Sequence, residues 1–125
     1  MSDRIDDSEQ TIDQCRRRMA TFVAERDWER FHRPKSLAMS IAIEAAELME
    51  EFQWCDDEAS RCVNEMHKQD IAAEMADVFS YLLSLANALD IDLATAFEAK
   101  MQDTERRYPV GKAFHPKGFG PEPTP

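Results

Sequence analysis

From Thr11 onward apolar residues recur at intervals of three and four, and no run alternates apolar with polar positions as a half-buried strand would. Ile12, Cys15, Met19 and Phe22 predict a first helix from Ser8 or Thr11 to about Phe31, and the HRPKS stretch interrupts the pattern at Pro34. Ser36 has the chemistry of an N-cap for a second helix, about Leu37 to Gln53. The polar WCDDEAS link after it has room for a short helical turn. A third helix spans about Val63 to Leu89. Its positions Ile71, Met75, Val78, Leu82, Leu85 and Leu89 form one apolar stripe, while Phe79, Leu83 and Ala86 form another. A helix apolar on two sides is usually buried on two sides, so this one predicts a partner chain. After the Asp90-Ile91-Asp92 break a fourth helix runs to about Arg107. The expectation is an all-α protein: a four-helix bundle over residues 1–110, assembled as a homodimer or homotetramer. Residues 111–125 are a Pro/Gly-rich tail, unsuited to regular packing.

Composition narrows the partners. A chain of 125 residues is about one domain, large enough for its own core yet small enough that association is a common supplement. Its 15 Lys plus Arg against 25 Asp plus Glu give a net charge of −10, which argues against a nucleic-acid polymer or an anionic membrane as partner. An anionic substrate would need a cation to approach. Cys15, Cys55 and Cys62 are odd in number and lack CxxC spacing, so ordinary thiols in a reducing compartment are expected. The start, MSDRIDDSEQ, has no apolar core of a targeting signal, and no segment reaches the length of a membrane span. A soluble, cytoplasmic protein is the expectation.

Two matched acidic pairs stand out against this background. Glu44 and Glu47 lie in IEAAELMEEFQW, and Glu74 and Asp77 lie in AAEMADVFSYLL. Residues three apart on a helix project from nearly the same side, so each pair sets two carboxylates together among apolar neighbours. An acidic, solvated helix face is the ordinary reading of such residues, and it suits Glu50, Glu51, Asp56, Asp57 and Glu58. It suits Glu44 and Glu47 less, because Ile41, Ala42, Ile43, Ala45, Ala46 and Leu48 surround them. Crowded, half-buried carboxylates invite a cation, and an all-oxygen set favours Mg²⁺, with Mn²⁺ able to substitute. A ferritin-like di-iron site is disfavoured, since no histidine follows either glutamate at the Glu-x-x-His spacing.

The ExxE pair, 26 intervening positions and then ExxD, on consecutive long helices of a small acidic protein, resembles the MazG-like all-α nucleoside triphosphate pyrophosphohydrolases. AERDWERFHRPKSLAMSIAIEAAELMEEFQW, EMADVFSYLLSLANALDIDLATAFEAKM and RRYPV are similar to the dCTP pyrophosphatase branch over about residues 20 to 110. The resemblance implies hydrolysis of a nucleoside triphosphate between the α and β phosphates, most naturally dCTP or a 5-substituted dCTP. A dUTP or broad noncanonical triphosphate pyrophosphatase is the nearest alternative. A non-catalytic acidic oligomerisation module with a structural metal is the other.

By the same resemblance Glu44, Glu47, Glu74 and Asp77 become Mg²⁺ ligands. Four carboxylates facing a triphosphate carry enough negative charge that two or more ions per site are expected. Glu47 and Glu50 are the candidate catalytic acids, Glu50 orienting water, completing a ligand shell or lying on the surface. Core is the usual fate of a helical tryptophan, but by resemblance Trp28 and Trp54 line the base pocket, where a ring can stack on a pyrimidine. His32 is either a polar contributor to base choice or an exposed loop histidine. Tyr81, one turn after Asp77, packs on the sugar, bonds a phosphate, or is core. Lys100, Thr104 and Arg107 share one side of the fourth helix and are the candidate phosphate contacts, or else solvated residues near a helix C-terminus. Relatives place an asparagine where Thr104 stands, so that contact differs. The base pocket is expected to be completed by the first helix or by a neighbouring chain.

Overall fold

The computed structural model describes residues 5–61 and 63–111, Arg61 by its backbone alone. Helix α1 spans Ile12–Glu25, α2 Pro34–Glu50, α3 Asp57–Arg61, α4 Glu65–Leu89 and α5 Leu93–Arg107, with a single 3₁₀ turn at Glu29–Phe31. There is no strand among the described residues, so the all-α expectation holds. The chain forms two compact units, Met1–Ile91 with α1 to α4 and Asp92–Pro125 with α5.

The ends of these helices are written in local chemistry. Thr11 caps α1 through a reciprocal box: its hydroxyl accepts from the Gln14 N–H at 3.1 Å, and the Gln14 side chain accepts from the Thr11 N–H at 2.7 Å. Asn64 and Asp92 cap α4 and α5 by accepting from the His67 and Thr95 N–H groups. Asp90 closes α4 in the left-handed conformation, φ 53°, and lets the Ile91 N–H reach the Ala86 carbonyl at 2.9 Å.

In the first unit α4 packs against both α2 and α1. Leu37, Val23, Leu83 and Ala86 are the buried apolar residues among those described. Polar bonds lock α1 to the same helix. Arg16 Nε donates to Asn87 Oδ1 at 3.1 Å, and Asn87 Nδ2 donates to the Arg16 carbonyl at 3.0 Å. Many large apolar side chains stay in contact with solvent, including Met39 and Ile43 on α2 and Met75 and Phe79 on α4. The second apolar stripe of α4 is thus divided: Leu83 and Ala86 are buried and Phe79 is exposed.

Several boundaries differ from the sequence expectation. The first helix ends at Glu25, not near Phe31, because Asp27 turns the chain at φ 54° and the 3₁₀ turn follows. Pro34 does not separate two helices from outside. It is the first residue of α2, where its missing N–H costs nothing and its fixed φ suits the helix. Arg33, not Ser36, is therefore the N-cap. α2 stops at Glu50 and α4 begins at Glu65, each a few residues inside the expected limits. The polar link does hold a short helix, α3. Cys15 and Cys55 are free thiols, while Cys62 and the tail beyond Gly111 lie outside the described residues. No single helix among the described residues is long and apolar enough to cross a membrane.

Candidate active site

Helix α2 carries Glu44 and Glu47, α4 carries Glu74 and Asp77, and the packing of these two helices brings all four carboxylates together. One oxygen from each lies within 4.8 Å of the others. Glu44 Oε2 and Glu74 Oε2 are sealed from solvent and have no hydrogen-bond partner. Burial pushes both groups above the ordinary glutamate value, and neighbouring acids push further: Glu47, Asp77 and Glu74 act on Glu44, and Glu47, Asp77 and Glu51 act on Glu74. Buried carboxylate oxygens without a hydrogen-bond partner, in a cluster of four acids, are what a bound cation satisfies. The donor set, all oxygen and strongly anionic, fits a hard divalent ion.

Beside the acids lies a cavity of about 350 Å³, lined by Met19, Phe22, Trp28, His32, Asp77, Ser80, Tyr81 and Ser84. Asp77 belongs to both the acidic cluster and this cavity. The Trp28 ring is held edge-on to Phe22, centroids 5.6 Å apart, and keeps 44% of its surface open. His32 follows the 3₁₀ turn, its N–H donating to the Glu29 carbonyl at 3.1 Å. It is half-buried and borders this cavity and a second one. Tyr81 is half-buried, one turn beyond Asp77. The fold therefore gathers three of the expected base and sugar contacts, Trp28, His32 and Tyr81, next to the acids.

Other expected residues stand elsewhere. Trp54 is in the turn after α2, is 90% exposed and does not line this cavity. Glu50 ends α2 with its side chain exposed, and it belongs neither to the acidic cluster nor to the cavity. Lys100, Thr104 and Arg107 lie on α5, in the second unit, where Arg107 Nε bonds Asp103 Oδ2 at 3.1 Å. Sequence reasoning passed over Glu51 as a solvated acid. It is half-buried, its Oε2 is 3.0 Å from His67 Nε2, and its charge acts on Glu74. Helical register held the signal: seven positions after Glu44 is two turns along the same face, whereas Glu50 is rotated away. Met19, Phe22, Ser80 and Ser84 were also missed as cavity residues, since each reads as ordinary helix filling.

Residues 39–117 match the MazG-like family. The chain belongs to this family. It is 40% identical over 105 residues to dCTP pyrophosphatase 1 of Bos taurus, a match covering 82% of this chain and 62% of that one. Against dCTP pyrophosphatase 1 of Homo sapiens identity is 39% over 104 residues, covering 82% of this chain and 61% of the relative. The MazG-like chain thus spans somewhat less than two thirds of these relatives. Among solved structures it resembles a pyrophosphatase from Archaeoglobus fulgidus, with a TM-score of 0.75 and 36% identity over 85% of this chain and 99% of that one. Both acidic pairs and Tyr81 fall inside the family match, and Trp28 and His32 precede it.

Proposed function

We propose that this MazG-like protein is a Mg²⁺-dependent nucleoside triphosphate pyrophosphohydrolase acting on dCTP or a 5-substituted dCTP, with the monophosphate and pyrophosphate as products. The observation that carries the reading is the adjacency of an anionic, cation-fitting cluster to an aromatic cavity through Asp77. A nucleotide has this bipartite chemistry, a flat base at one end and a polyphosphate at the other. Likeness to relatives named dCTP pyrophosphatase 1 supports the choice of base.

In this reading the base enters between Trp28 and Tyr81, and stacking is worth about 1–3 kcal/mol per base. The sugar lies along α4, so the phosphates reach the end of the cavity marked by Asp77. Glu44, Glu47, Glu74 and Asp77 would hold Mg²⁺, with Mn²⁺ a substitute. When bound, the metal offsets phosphate charge and makes a coordinated water more acidic. Glu47 is assigned to orient the attacking water in line with the scissile bond and to accept its proton. We assign this task to Glu47 and not to Glu50, whose side chain is exposed and outside the cluster.

The test is product analysis by ion-exchange chromatography with Mg²⁺ and dCTP, 5-methyl-dCTP, dUTP, dTTP, dATP, dGTP or CTP, with EDTA as control. Monophosphate plus pyrophosphate, greatest for the deoxycytidine pair and reduced at least about a hundredfold by Glu47→Gln, is the expected result. The same products from another base would discard the base assignment. Turnover of none of them would leave a cation-binding helical module and end the enzymatic reading.

A further inference from the structure

Ser84 is 4% exposed, and its Oγ has no hydrogen-bond partner. The serine one turn earlier shows the usual fate of such a group, since Ser80 Oγ donates to the Ala76 carbonyl at 2.8 Å. Ser84 sits in the same helix, is more deeply buried, and forgoes that bond. For folding alone alanine is the better residue there: it has higher helix propensity and no hydroxyl to desolvate.

The surroundings indicate a use. Ser84 borders the cavity that holds Trp28, His32 and Tyr81, and with His32 it also borders a neighbouring cavity of about 460 Å³. Two of the other polar groups nearby are committed, while His32 and Tyr81 line the same cavity. The Ser80 hydroxyl proton goes to Ala76, and both ends of the Asn87 amide are engaged by Arg16. The hydroxyl of Ser84 is thus an uncommitted donor and acceptor on the wall of a largely aromatic space.

We infer that Ser84 is a specificity-determining residue whose hydroxyl turns toward the cavity and hydrogen-bonds the polar edge of the pyrimidine stacked on Trp28. The inference rests on the nucleotide reading of that cavity. A serine hydroxyl is repositioned by rotation about Cα–Cβ, and it can donate to a ring nitrogen or carbonyl and accept from an exocyclic amine. The site then sets aside folding stability for recognition, which explains why the group is unpartnered in the free protein.

Ser84→Ala tests this on the full chain. Expected are a melting temperature equal to or above wild type, a KM for dCTP raised about 10- to 100-fold, and a kcat within about threefold. Inhibition by inorganic tripolyphosphate, which has no base, should be unchanged. An unaltered KM and base order would overturn the inference and leave Ser84 a small packing residue. A clearly lowered melting temperature would overturn it too, showing a hydroxyl already bonded in the free protein. Calorimetric titration with dCMP and no metal separates this from the enzymatic reading. Binding by wild type weakened at least about tenfold in Ser84→Ala supports the inference even where no triphosphate is hydrolysed. Failure of wild type to bind dCMP overturns it.

Discussion

Glu51 Oε2 and His67 Nε2 meet at 3.0 Å, joining the end of α2 to the first turn of α4. The pair continues the facing rows of the acidic cluster, with Glu51 one turn past Glu47 and His67 two turns before Glu74. Glu51 is also one of the acids whose charge holds Glu74 above the ordinary glutamate value.

His67→Ala leaves Glu51 without this bond. Both side chains are partly open to water, so the expected loss is at most about 1 kcal/mol. That corresponds to a fall of roughly 2–5 °C in melting temperature. His67→Gln, which can still donate, should recover most of it. Thermal denaturation by circular dichroism at low and high salt measures both.

Cation binding should reverse a pH trend. Glu44 and Glu74 have folded-state pKa values raised above the ordinary 4.5, first by burial and then by neighbouring acids. Between 4.5 and those raised values the folded protein holds protons that the unfolded chain has released. The contribution of these groups to stability is therefore full below the window and lost as pH rises through it. Metal-free protein should be stabilised by mild acid until other carboxylates titrate. At neutral pH Mg²⁺ should supply what protons supply in acid, about 2.7 kcal/mol at a hundredfold excess over Kd. Glu74→Gln should raise the metal-free melting temperature and abolish the Mg²⁺-dependent rise. Melting curves with and without Mg²⁺ across this pH range check each part.

Trp28 should report on the base directly. Trp28→Ala is expected to raise KM about 5- to 100-fold, matching the loss of one stacking contact, with a smaller effect on kcat. Trp54 is 90% exposed and would obscure the optical signal. In a Trp54→Phe background, dCMP should quench the remaining tryptophan emission, and a flat titration would remove Trp28 from the base site.

Exposed apolar rows predict self-association. Met39 and Ile43 are each 57% exposed on α2, and Met75 is 56% exposed on α4 beside Phe79 one turn on. We expect wild type to sediment as a dimer or tetramer, and Ile43→Lys or Phe79→Lys to shift it toward the single-chain mass of 14.4 kDa. Sedimentation velocity over a concentration series is the measurement.

Local chemistry settled a good deal from the sequence alone. Helical periodicity needs only the order of residues along one segment, so the all-α class, the long helices and the pairing of Glu44 with Glu47 and Glu74 with Asp77 were all readable. Caps were legible where a side chain closes its own turn, as Thr11 does. The start of α2 was not, because Pro34 serves equally well as a breaker or as a first helical residue. Packing decided the remainder. Which turn of α4 faces which turn of α2 determines that the four carboxylates converge within 4.8 Å, that Glu51 and not Glu50 turns inward to meet His67, and that Trp28 comes beside Asp77 and Tyr81. Such adjacency depends on interhelical register, set by the burial of Leu37, Val23, Leu83 and Ala86, and no single segment contains that information. The unsatisfied hydroxyl of Ser84 is the clearest case: a serine in a helix says nothing until the surrounding space shows that its bond has nowhere to go.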